Sequence, residues 1–147
     1  NYIRKQTLRC SRRMLGIGQT LGEVQQKRFE EAHLFNNFKK YYEKRDMVKA
    51  SELLWGSISK ITYSIGLFYG KKCGKHKEIV ALIRDLAKDH PKIVDWINSA
   101  EALHSNFYHN WMDEEMFENN VRKVAELRNW LLKMLDEETE KAKQTLI

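Results

Sequence analysis

The stretch Asp113–Leu135, DEEMFENNVRKVAELRNWLLKML, decides the fold class. Met116/Phe117, Val121, Val124, Leu127, Leu131 and Met134/Leu135 recur at three- and four-residue spacing. That spacing puts them on one face of an α-helix, with charged residues on the other. Asp113 stands where an N-cap belongs, and the pattern extends to about residue 144. Upstream, Pro91 suits the first turn of a helix over about 91–111, with Ile93, Ile97, Ala100 and Leu103 as its stripe. A shorter helix over 77–89 carries Ile79, Leu82/Ile83 and Leu86. Residues 70–76 form a loop before it.

Asp46 reads as the N-cap of a helix over about 47–69, striped by Val48, Leu53/Leu54, Ile58, Ile61, Ile65 and Phe68. Its small residues Ala50, Ser51, Gly56 and Ser57 line a second face and permit close packing. Residues 22–45 read as a helix through Val24, Phe29, Ala32, Phe35/Phe38 and Tyr42. Gly16, Gly18 and Gly22 are expected to interrupt the chain before it. Residues 2–15 make a short basic helix bearing Arg4, Lys5, Arg9, Arg12 and Arg13. No strand-like alternation and no repeat occurs. The expectation is an all-α antiparallel up-down four-helix bundle over 22–147, with a basic N-terminal extension over 1–21.

Composition agrees with this. Of 147 residues, 42% are hydrophobic, enough to bury a core without a disulfide or metal staple. Seven Gly and one Pro are too few for collagen, propellers or turn-rich sandwiches. No apolar run approaches the roughly 20 residues of a membrane span, so no membrane partner is expected. Cys10 and Cys73 form no CxxC pair, which argues against a disulfide framework and suggests a reducing cytoplasm. Asn1-Tyr2-Ile3-Arg4-Lys5 lacks the apolar core of a signal peptide.

The net charge is +6, unevenly spread. Residues 1–45 hold 11 basic and 4 acidic side chains, whereas residues 111–147 hold 6 and 9. The basic end suits phosphate or an acidic protein surface, including the acidic last helix of the same fold. Lys71, Lys72, Lys75 and Lys77 make the 70–77 segment a solvated loop or a phosphate contact, and Arg9, Arg12 and Arg13 extend the same choice. Gly70-Lys71-Lys72-Cys73-Gly74-Lys75 misses the P-loop spacing, with His76 where Ser or Thr belongs. Cys73-x-x-His76 has no second ligand pair nearby, so no metal is expected, and no cofactor motif is present.

The string Leu103-His104-Ser105-Asn106-Phe107-Tyr108-His109-Asn110-Trp111 carries the most chemistry. On a helix, His104, Phe107, Tyr108 and Trp111 share a face, and Asn106 and His109 neighbour each other on a more polar side. An imidazole beside an amide and a phenol can move a proton and hold an anionic oxygen. The same residues also suit plain structural roles. His104 fits a core or interface, Tyr108 and Trp111 fit packing, Asn106 fits a neighbouring backbone, and His109 fits the helix dipole.

Two strings carry a family resemblance. Tyr41-Tyr42-Glu43-Lys44-Arg45-Asp46-Met47-Val48-Lys49-Ala50-Ser51-Glu52-Leu53-Leu54-Trp55-Gly56 is one; Ala102-Leu103-His104-Ser105-Asn106-Phe107-Tyr108, followed by Trp111 and Asp113, is the other. Both resemble the archaeal PaREP family, over about residues 25–135. That family resembles the HEPN superfamily of dimeric helical bundles. Active HEPN proteins are metal-independent endoribonucleases, often toxins paired with a nucleotidyltransferase partner; others bind nucleotide or protein without catalysis. By that resemblance, His109 takes the place of the HEPN histidine, Ser105 the polar place and His104 the place of the arginine. The guanidinium that would clamp phosphate is absent.

The resemblance therefore implies a homodimeric binding module for a partner protein, nucleotide or RNA, with Phe107 and Trp111 at the dimer groove. The alternative it implies is an endoribonuclease with His109 as acid or base, His104 and Asn106 on phosphate, and Tyr108 as a donor.

Overall fold

The computed structural model describes residues 2–146, with side chains from residue 16 onward. It has five helices: α1 (Tyr2–Glu43), α2 (Met47–Phe68), α3 (His76–Leu86), α4 (Pro91–His109) and α5 (Glu114–Thr145). The described residues include no strand.

Local signals set most of the boundaries. The Asp46 carboxylate accepts from the Lys49 amide at 3.1 Å, and Asp113 accepts from Met116 at 2.8 Å. Each satisfies an orphan donor of a first turn. Pro91 opens α4, where its missing N–H costs nothing. The Lys75 amide donates to the Glu78 carboxylate at 3.0 Å and fixes the entry to α3. Arg45 (φ 61°) and Asn110 (φ 45°) turn the chain in the left-handed region after α1 and α4.

The expected break at Gly16, Gly18 and Gly22 does not occur. α1 runs unbroken through all three, and the expected boundary at residue 21/22 falls inside it. Glycine costs a helix about 1 kcal/mol relative to alanine but does not forbid it. No atom lies within 4 Å of where a Cβ would sit on any of the three.

α2 is the centre of the molecule and touches all four other helices. Its side chains are buried nearly all round, including Ala50, Leu54, Ile58, Ile61 and Ile65. The α5 stripe Phe117, Val121, Val124, Leu127, Leu131 and Leu135 is buried against it, while Met116 faces out. α4 adds Ile93, Ile97, Ala100 and Leu103. Residue pairs run in opposite senses along neighbouring helices. On α1 and α5 these are Glu31–Arg128 and Tyr42–Glu118; on α1 and α2, Glu23–Tyr63 and Glu31–Ser57; on α4 and α5, His90–Trp130 and Asp95–Lys123.

Two α1 positions depart from the sequence pattern. Phe29, expected inward, is 73% exposed, and Ala32 is also exposed. Glu31 is only 4% exposed. Its carboxylate accepts from Arg128 Nε at 2.8 Å and Ser57 Oγ at 3.0 Å, tying α1, α2 and α5 together. Arg128 also lies over the Phe35 ring, 3.6 Å from its centroid. Glu31 lies seven residues after Val24 and four before Phe35, in phase with the inward stripe, whereas Phe29 lies five after Val24 and turns outward.

Gly66 marks the tightest approach. A Cβ there would lie 3.0 Å from the Lys71 carbonyl oxygen and 3.2 Å from Leu82. Gly66→Ala is expected to destabilise by about 1–3 kcal/mol, because backbone must move. Chemical denaturation measures it; Gly22→Ala, in open space, is expected to be neutral or stabilising.

Candidate functional site

The C-terminal half of α4 holds the residues singled out in the sequence, and the fold separates them. Asn106 has zero exposure. Its Oδ1 accepts from the amides of Trp111 and Met112, each at 2.9 Å, and its Nδ2 donates to Ser51 Oγ at 3.2 Å. Ser51 passes its own proton to the Met47 carbonyl at 2.7 Å. Asn106 therefore pins the α4–α5 turn to α2 and is closed to any substrate. The expected polar pairing of Asn106 with His109 is overturned: one is sealed inside and the other is exposed.

His109 is the last residue of α4. It lies five residues, about 140° of helix rotation, from His104. That angle starts the two imidazoles from different sides of α4. Trp111 is exposed too, but it lies beyond the end of α4 and not on the face of His104. The left-handed Asn110 ends the helix two residues before the expected point.

His104 stays with Phe107 and Tyr108, in company the sequence reading missed. His76, the first residue of α3, stacks on it with ring centres 4.6 Å apart and planes 17° apart. Trp55 of α2 lies 4.8 Å from both imidazoles. Tyr108 meets His104 edge-on at 5.1 Å. Behind this stack, Glu101 reaches His76 Nε2 at 3.4 Å and Arg84 at 3.1 Å. Glu101 lies three residues before His104, so helical spacing could have found it. His76 and Trp55 are brought in by tertiary packing, and no local spacing signals them.

Burial pushes the His104 imidazole below its ordinary pKa; His76 adds to the effect and Glu101 opposes it. Burial thus favours the neutral form of His104. A proton-histidine NMR titration is expected to place its midpoint below that of an unperturbed imidazole, with His76→Gln moving it upward. A group depressed in the folded state binds fewer protons there than when unfolded. Its contribution to stability therefore falls as pH drops through the ordinary imidazole range. An unshifted His104 that ignores His76→Gln would refute the coupling.

His104, Phe107 and Tyr108 line a groove of about 320 Å³ with Leu34 of α1 and Glu52, Leu53, Trp55, Gly56 and Ser59 of α2. Tyr108 is 66% exposed at its rim. The lysines lie elsewhere. Lys71, Lys72, Lys75 and Lys77 are exposed on the α2–α3 loop and the start of α3. Lys71 and Lys72 share a depression with Glu78 and Asp85, whose carboxylates oppose an anionic ligand. The side chains of Arg9, Arg12 and Arg13 lie outside the described residues.

A model of the archaeal PaREP1/PaREP8 family matches residues 27–128, more than half of the chain. The chain belongs to the archaeal PaREP1/PaREP8 family. In this PaREP1/PaREP8 protein the matched span contains the whole groove, the His76–His104 stack and the Glu31–Arg128 pair. No curated protein and no solved structure matches the chain. Among the described residues of this PaREP1/PaREP8 chain, no group of three or more His, Cys, Asp or Glu is placed to hold a metal ion. None of its described helices is long and apolar enough to cross a membrane.

Proposed function

We propose that the protein is a HEPN-like helical binding module, homodimeric and non-catalytic, that docks a partner protein in the cytoplasm. The lining of the groove carries this reading. Leu34, Leu53, Trp55, Phe107 and Tyr108 give it apolar and aromatic walls, and among the described residues Glu52 is its only charged lining residue. A nucleotide or RNA would need cations for its phosphates, and neither Lys nor Arg lines this groove. Apolar walls with few polar groups suit a protein segment. The opposed pairings of α1, α2, α4 and α5 suit an antiparallel four-helix HEPN arrangement, with α3 as the short fifth helix.

A second reading, the metal-independent endoribonuclease, draws on one observation. His104 is held neutral at the groove edge, and its cluster contacts are ring faces and edges. Its nitrogens are therefore left for a ligand, and a neutral imidazole can accept a proton. Against it stand the burial of Asn106, the divergence of His109 and the missing arginine.

Labelled RNA incubated with the protein and EDTA decides between the readings, with light scattering to give the mass. The expected outcome is a dimer, intact RNA, and no RNA retention that depends on Tyr108. Cleavage that survives EDTA and disappears in His109→Ala would establish the nuclease instead. Retention lost in Tyr108→Ala would make RNA the ligand. A photocrosslinker at position 108, used in extract of cells that express the chain, is expected to give a discrete protein adduct that Phe107→Asp, at the half-buried groove wall, abolishes.

A further inference from the structure

Resting on the docking reading, we infer that the groove receives a guanidinium, an arginine side chain presented by the partner. Three features of the groove converge on a flat cation. Among the described residues, Glu52 supplies its only charged lining group. The carboxylate's partner is Lys49, 3.3 Å away and one turn earlier on the same helix, with both side chains well exposed. Such surface pairs contribute little and exchange readily. An incoming guanidinium can instead take both carboxylate oxygens at once, which an ammonium cannot.

The aromatic walls form the second feature. Phe107 and Tyr108 lie 4.8 Å apart with planes tilted by 60°, and Tyr108 is open to solvent at the rim. Their faces attract a cation electrostatically, and a planar guanidinium can stack on them as well. Trp55 also lines the groove, with both imidazoles 4.8 Å from its ring.

His104 is the third. A neutral imidazole beside the groove offers an acceptor nitrogen and does not repel a cation; a charged one would. Every charged or titratable group near it bears on that state. His76 faces it from α3, Glu101 and Tyr108 from α4, and Glu52 from α2, with Arg84 and Lys49 behind the two carboxylates. Leu34, the α1 contribution to the lining, is uncharged. A charge placed on His104 would repel the guest.

The test uses N-acetyl-arginine amide against its citrulline counterpart, which has nearly the same shape but no charge. Both are titrated into the full chain and followed by the NMR signals of Gly56, Phe107 and Tyr108. Arginine is expected to bind at least about tenfold more tightly than citrulline. Glu52→Gln is expected to remove that preference, and Tyr108→Ala to weaken arginine binding. Equal responses to the two probes, or an arginine preference that survives Glu52→Gln, would overturn the inference. If arginine fails while Phe107→Asp still abolishes the adduct at position 108, docking stands and the cationic guest is wrong. If the adduct also ignores Phe107→Asp, docking itself falls.

Discussion

Replacing Glu31 with alanine is expected to lower the unfolding free energy by about 3–5 kcal/mol. The carboxylate is almost fully buried between α1, α2 and α5 and holds Arg128 and Ser57. Removing it leaves a guanidinium in the interior without its counter-charge, and a serine hydroxyl without its acceptor. The cost is mainly that of the stranded charge, so the partner decides the size of the effect. Glu31→Gln keeps shape and an acceptor for Ser57, and is expected to cost less than alanine. Glu31→Leu combined with Arg128→Met removes both charges and is expected to lie close to the wild type, because a buried pair repays little beyond its own desolvation. Urea unfolding measures all three. A Glu31→Ala loss below about 1 kcal/mol would show that water reaches Arg128 and that the pair is not truly interior.

The second large effect is at Asn106. Asn106→Ala is expected to cost about 2–4 kcal/mol, because the amides of Trp111 and Met112 lose their shared, fully buried acceptor. The loss of its donor bond to Ser51 adds to this. The variant also separates two roles. A residue that grips substrate loses activity or binding on truncation with little change in stability. A residue that pins a turn loses stability first. The expected signature is a lower denaturation midpoint together with loosened amide exchange at residues 110–113. A wild-type midpoint with lost binding would move Asn106 back into the ligand site.

The helix starts were legible because they are local chemistry. Asp46, Pro91 and Asp113 act within one turn of their own backbone, so sequence alone exposes them. The stripes of α2, α4 and α5 were legible because burial of one face follows helical period. Asn106 was not, because its burial comes from a turn that folds back over α4 to meet α2. Glu31 and Phe29 exchange their expected places for a similar reason. The partner that makes Glu31 an inside residue, Arg128, lies on the last helix, and no spacing rule links the two. Gly16, Gly18 and Gly22 misled because glycine raises the cost of a helix without deciding its end. At the site, the short string around His104 was visible, but its real neighbours Trp55 and His76 come from other helices. Glu101 was the exception, one turn away and within reach of helical reasoning.

The central placement of α2 has a consequence for motion. A helix packed against all four others cannot open alone; exposing its amides means parting it from those neighbours. Its amides are therefore expected to exchange only through global unfolding, at the slow end of the hydrogen-exchange range. α3, eleven residues long and held by Ile79, Val80, Leu82 and Ile83, is free to open in smaller events. The groove thus joins a wall that stays still to a histidine stack whose outer member, His76, rides on the element that opens first.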